Sequence, residues 1–484
     1  MRIDVAKVLV AAAFAGLVSP ILACDVEHGE AGGPLGKHLD RIGLGGPTFI
    51  DPQTAADSSF NTQFLSQVTL AQMGGGEGAS LWGWTDPQTQ REYAIMGRTT
   101  GTSFIDVTNP QSPLVVANLA PSSPTATSLW REPKVVGNYA YIGVDGVNHG
   151  IQAVDLTLLR NFTGTTINLT ANTTFTGVQR AHTLGINATG GVAQTSPDGQ
   201  KYIFAAGGTE GGQRKGIRAI NVTNPAAPVL AGAFQADGYT HEMQVVTYNG
   251  PDAIHVGKEI AFAFNEDTVT VVNVTNKAAM TMLGRKAQPN VGYAHQGWLT
   301  ADQKYLISND ETDEVNGLTA GKTRTHFWDV SDLENPVYKG FYNHTLGTID
   351  HNLYVVGNYV IETNYTAGLR MFRLGDLSNP DPQTWMTLIA SFDTYAANDG
   401  ASYNGAWNNY PFFKSGNVAI SDINGGLIMV RPLVRGFQDY WLNQQLGTGA
   451  GGLVAGESIP EPSTLAMIAG VSLITMRRRR RAMV

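Results

Sequence analysis

The chain has 484 residues, of which 42% are hydrophobic and only 15% charged, with a net charge of −8. Such a chain can bury a large core, and with no basic patch short of its last residues it excludes nucleic acid as a partner. Its one cysteine excludes an intrachain disulfide, so the fold must stand on packing alone.

In chain order, Arg2 and Lys7 precede an apolar stretch from Val8 to Leu22, which reads as a secretory signal peptide over residues 1–23. Cys24 follows Ile21-Leu22-Ala23, a partial lipoprotein box, so it is either a lipidation site or a bare thiol on a flexible N-terminal flank (24–59). Loss of that leader and of the five C-terminal arginines takes the net charge from −8 to −14, an acidic body compatible with cation binding.

Residues 60–435 are periodic. A short apolar strand ending in Asp/Asn-Val-Thr-Asn-Pro appears at Phe104–Pro110 and Ala219–Pro225, and close copies follow at Val271–Asn276 and Phe327–Ser331. Looser copies lie at Ala153–Thr157, Met371–Leu374 and Leu427–Pro432. The Asn-Pro pair breaks strand pairing and forces a turn. Several short strands per unit, repeated roughly every 50 residues, predict an all-β fold: a seven-bladed β-propeller of four-stranded antiparallel blades. The last unit lacks an outer strand, and Phe64–Leu70 resembles one, so the N-terminal strand is expected to close the ring.

His182, His241, His295 and His351 each begin a unit, 59, 54 and 56 residues apart. In a propeller the first strand of each blade lines the axis, so these imidazoles are expected at one mouth of the channel. With Glu242 and Asp350 beside them in sequence, they could hold zinc, copper or iron. The alternative is structural, each ring strapping neighbouring strands through its N–H. At the matching places blade two offers Arg131 and Glu132, blade one Trp82 or Trp84, and blade seven Trp407. His149, His255, His326 and His344 fall off this register and are expected in solvated loops. The acidic run Asn309–Glu314 lacks the spacing of a calcium loop and reads as a solvated hairpin connection. No Walker loop, dinucleotide fingerprint or Gly-x-Ser-x-Gly elbow occurs.

Residues 436–458 read as a linker. Beyond it Pro460, Glu461 and Pro462 lead into an apolar run from Leu465 to Met476, then Arg477, Arg478, Arg479, Arg480 and Arg481. The arginines stay on the cytoplasmic side of a bilayer. As a helix the segment from Ser463 to Met476 reaches roughly 21 Å, short of the ~30 Å hydrocarbon core. Residues 459–484 therefore suit a transient membrane anchor. They resemble the PEP-CTERM sorting signal of bacterial envelope proteins, which implies an exosortase-type partner, cleavage near the motif and delivery to the cell surface or matrix.

Residues 60–435 resemble the choice-of-anchor B family, whose repeats look related to the LVIVD type. The resemblance rests on Leu81-Trp82-Gly83-Trp84-Thr85-Asp86-Pro87, Tyr293-Ala294-His295-Gln296-Gly297-Trp298-Leu299, Ile349-Asp350-His351-Asn352-Leu353-Tyr354 and Gly405-Ala406-Trp407-Asn408-Asn409-Tyr410-Pro411. It implies an exported body shared among several surface anchors. Two functions follow. The first, favoured, is a non-catalytic displayed propeller binding matrix polysaccharide or another envelope protein. The second is a metal-dependent extracellular enzyme using the histidine cluster.

Overall fold

The computed structural model describes residue 50 and residues 59–123, 128–146, 148–210 and 213–446. The leader, Cys24 and the Pro-Glu-Pro tail with its arginines lie outside the described residues. Among the described residues no helix is long and apolar enough to cross a membrane.

Five of the seven repeats begin their turn with a side chain that imitates the backbone. The Oδ1 of Asp106, Asp155, Asn221, Asn273 and Asp329 accepts the backbone N–H two residues on, at 2.9–3.1 Å. Between them lies an apolar residue (Val107, Leu156, Val222, Val274 or Val330) that is buried. Its own N–H returns to the carbonyl at the start of the second strand, as from Val107 to Glu92 and Val274 to Glu259. The Thr of the motif accepts the N–H of that same residue: Thr108 from Glu92, Thr223 from Lys201, Thr275 from Glu259. The repeated tripeptide therefore ties the third strand's exit to the second strand's entry, and Asx-turn chemistry explains its composition. A register shift follows at the same place in five blades, for example between Phe104 and Ile105 and between Val271 and Val272.

Among the described residues seven four- or five-stranded sheets result, with two small two-stranded sheets beside them. The first strands of the seven are Gly78–Thr85, Arg131–Val136, Thr183–Gly185, Glu242–Thr247, Ala294–Leu299, Asn352–Val356 and Ala406–Tyr410. Each of these touches the first strand of the next blade, and the seventh touches the first, so the ring is closed. The seventh sheet takes its fourth strand from the N-terminal side: Thr62–Val68 pairs antiparallel with Gly426–Pro432. The core lies between neighbouring sheets.

Three features depart from the sequence expectation. Ile167–Leu169 adds a parallel fifth strand to blade one, and Ser59–Phe60 adds an antiparallel one to blade six. The stretch read as a linker begins with a helix, Arg435–Leu446, which buries Phe437 and Trp441. Phe437 stands edge-on to Tyr359 at 5.7 Å.

Candidate metal centre at the hub

Because the first strands form the ring, their N-terminal ends converge. His182, His241 and His351 immediately precede such a strand, and His295 is the second residue of its own. The four rings stand side by side in an arc, with centroids 4.2, 4.5 and 4.3 Å apart in chain order. Trp130 flanks the arc at 6.1 Å from His182, and Trp407 at 4.8 Å from His351. All four are buried and line one small opening together with Trp130, Arg131, Glu132 and Trp407.

The orientation of these rings is set by what holds their Nδ1 atoms. His295 Nδ1 lies 3.0 Å from the carbonyl of His351, and His351 Nδ1 lies 2.5 Å from that of Trp407. A carbonyl only accepts, so each ring carries its proton on Nδ1 and turns a bare Nε2 lone pair to the hub. His241 Nδ1 lies 2.9 Å from the Tyr293 hydroxyl, which can accept the ring's proton while giving its own to Glu266 at 3.2 Å. His182 Nδ1 faces Asp145 at 3.2 Å, with Arg180 on the other oxygen at 2.9 Å. Burial raises the Asp145 carboxyl, but the His182 and Arg180 contacts outweigh it and hold the group below its ordinary value. Burial, with the neighbouring imidazoles adding, drives His295 and His351 down to about 3, so both are neutral.

A carboxylate that sequence reasoning passed over completes the arrangement. Glu311 Oε2 lies 3.6 Å from His295 Nε2, and its Oε1 lies 3.6 Å from His351 Nε2. Tyr365 donates to Oε1 at 2.6 Å. His241, His295 and Glu311 each offer a ligand atom within 4.8 Å of the others. Lone pairs aimed at carboxylate oxygens repel unless something positive lies between them, so this set could hold a cation. Only the strand pairing places Glu311: Asp310, the end of the second strand, lies opposite Ala294, so the next residue returns to the mouth.

Several sequence expectations need correction. Asp350 does not join the histidines, because its strand-adjacent position turns it away, toward Asp313 and Glu314. Glu242 lines the same opening, but its partners are Glu132, Lys134 and, at 3.4 Å, the amide of Asn352. Burial, then the charge of Glu132, pushes Glu242 up to about 8. Blade two supplies Arg131 and Glu132 as expected, with Trp130 beside them, whereas blade one presents Ser80. Trp82 lies buried against Tyr410 at 5.2 Å and beneath the Lys134 ammonium at 4.4 Å. The acidic run 309–314 is buried, not solvated, because its loop folds inward. His149, His255, His326 and His344 are buried too, each against a polar partner: Arg131, Glu334, Tyr338 and Thr325.

Fold and site together define a seven-bladed β-propeller with a histidine-lined hub. No protein-family model matches the chain, and no curated protein matches it. Among solved structures it is similar to the Cps50 (Swd1) β-propeller domain of Myceliophteria thermophila, at 10% identity and a TM-score of 0.47, covering 76% of this chain and 98% of that one. It is similar to the hydrazine synthase of Kuenenia stuttgartiensis at 12% identity, a TM-score of 0.45 and coverage of 70% and 92%. A third is the periplasmic gluconolactonase PpgL of Pseudomonas aeruginosa, at 13% identity, a TM-score of 0.42 and coverage of 65% and 85%.

Proposed function

We propose that this chain is an exported, surface-displayed propeller that binds a transition-metal ion (zinc, copper or iron) at its hub, on His241, His295, His351 and Glu311. One observation carries the metal reading: the Nδ1 atoms of all three imidazoles have partners that can accept their proton, which leaves Nε2 as the ligand atom. A second shell that fixes ring and tautomer in this way is what metal-ligating histidines require. Imidazole and carboxylate ligands suit these metals, and the opening above them leaves room for a further ligand. The strapping role holds as well, since His295 and His351 reach the next blade's carbonyls through the nitrogen the metal does not use.

Display rests on the two ends: the leader over 1–23 and the Pro460-Glu461-Pro462 tail with Arg477–Arg481, similar to an exosortase-sorted signal. The body is similar to the choice-of-anchor B family. In that setting the propeller serves as a scaffold for matrix polysaccharide or another envelope protein. A second reading, a metal-dependent extracellular enzyme, is favoured by one residue. Glu242, up at about 8, is protonated at neutral pH beside the opening and could donate a proton to a bound substrate.

Elemental analysis of the purified full chain tests the metal. We expect one transition-metal ion per chain, lost in a His241→Ala/His295→Ala double variant. A metal-free protein from metal-replete medium would leave only the scaffold. Mass spectrometry of the native protein tests export, which fails if both termini are intact.

A further inference from the structure

We propose that a second, harder cation, a divalent ion of the calcium or manganese class, binds between blades five and six on Asp313, Glu314 and Asp350. The three carboxyls offer oxygens within 4.8 Å of one another, and all are buried. Asp313 and Asp350 are 1% exposed and Glu314 is 8% exposed. None of their six oxygens has a hydrogen-bond partner of good geometry, the backbone N–H groups of Asp310, Asp313 and Glu314 acting on them only loosely. Six buried carboxylate oxygens so weakly donated are costly without a counter-charge.

An independent side chain points at one member of the set, Asp313, from the Asp310 side. His326, on the third strand of blade five, is 2% exposed, and its Nδ1 meets the Tyr338 hydroxyl at 2.9 Å. Its Nε2 has no hydrogen-bond partner and faces Asp313 Oδ2 at 3.9 Å, beyond bonding reach. Asp310 is different. Its two oxygens take four donors (Tyr293, Thr312 and Gly292 N–H and the Gln288 amide), so it is spent on holding the loop.

The carriers are stiff. Backbone bonds from Leu318 to Asp313 (2.8 Å) and from Gly317 to Glu314 (3.1 Å) close the turn that bears two of the ligands. Thr323 bonds the carbonyls of Leu346 and Thr348, joining that loop's return to the segment that ends in Asp350. Oxygen donors in a fixed cluster are the preference of hard divalent ions, and bidentate carboxylates alone could fill six positions. The competing occupant is the proton. Burial raises Asp313 to about 7 and, with the neighbouring carboxylates adding, lifts Glu314 and Asp350 well above their ordinary range; a proton kept on Glu314 can be shared with Asp313, and that bond, then Arg324, pulls Asp313 the other way less strongly. The site shares loop 310–314 with Glu311 but none of its ligands with the hub.

The test strips the full chain with EDTA and titrates it with calcium or manganese alone. We expect one ion per chain, a rise in melting temperature, and at least tenfold weaker binding in Asp350→Asn and in Glu314→Gln. His241→Ala/His295→Ala must keep this ion, so loss of the hub metal and loss of this one are told apart. Terbium soaked into crystals of the unaltered chain locates the ion by anomalous scattering, whichever variants fold. Absence of binding at millimolar ion, terbium elsewhere, or undiminished affinity in Asp350→Asn would each overturn the assignment and leave three carboxyls that hold protons.

Discussion

In the proposed metal site each ligating imidazole would use its two nitrogens for different work, and a single substitution can separate them. Tyr293→Phe removes the acceptor for His241 Nδ1–H and leaves the ring in place. Second-shell losses of this kind cost about 10- to 100-fold in metal affinity. We therefore expect weaker zinc binding by competition with a chelator, at little cost in melting temperature. A second residue-scale prediction concerns acid. His149 faces Arg131 at 3.3 Å and the Gly150 carbonyl at 2.9 Å. Burial first, and then the Arg131 charge, lowers it to about 4. Unfolded, the same ring titrates near 6.5, so between those values the unfolded chain binds the extra proton. Its contribution to stability is present above pH 6.5 and is lost as pH falls toward 4. His149→Gln should flatten the acid side of a stability curve measured by urea unfolding between pH 7 and pH 4.5. The hub histidines were legible in the sequence because their spacing matches the blade period. Glu311 was not, because it follows a second strand, where no repeated residue marks the mouth.

At the scale of single elements, the turn motif makes the blade. Asp329 Oδ1 accepts both the backbone N–H and the hydroxyl of Ser331. Asp329→Ala should cost about 1 kcal/mol, a typical net worth for such bonds, read from the urea midpoint. Contact between blades is less forgiving. A Cβ on Gly83, in blade one's first strand, would lie 2.1 Å from the Tyr410 ring of blade seven. Gly83→Ala should therefore cost about 1–3 kcal/mol, the usual range for overpacking. The turns were readable because short-range side-chain bonds make them, and such bonds leave a fixed spelling. Ile167–Leu169 and Ser59–Phe60 were not, since strands of two or three residues carry no period and exist only because a sheet edge lies nearby. The helix Arg435–Leu446 escaped for a related reason: Phe437 and Trp441 form too narrow an apolar stripe to stand out.

For the whole molecule the decisive element is the strand that joins the ends of the ring. Thr62–Val68 was legible as an orphan outer strand facing a last blade that was one strand short. Its pairing with Gly426–Pro432 covers what is otherwise an open edge beside the first blade. That closure also reaches the hub. Blade seven supplies the Trp407 carbonyl that orients His351, and its first strand packs on blade one's first strand. A chain lacking residues 59–68 should expose the Gly426–Pro432 edge and pair it with other chains, because unpaired edges template association. We expect soluble oligomers by size exclusion, a lowered melting temperature and weaker retention of the hub metal. A synthetic peptide of residues 59–70 should reverse all three by adding the missing strand in trans. A truncated chain that stays monomeric, melts as before and keeps its metal would show that the inner strands alone close the ring. The hub would then owe its geometry to contacts between first strands and nothing to the strand that spans the two ends.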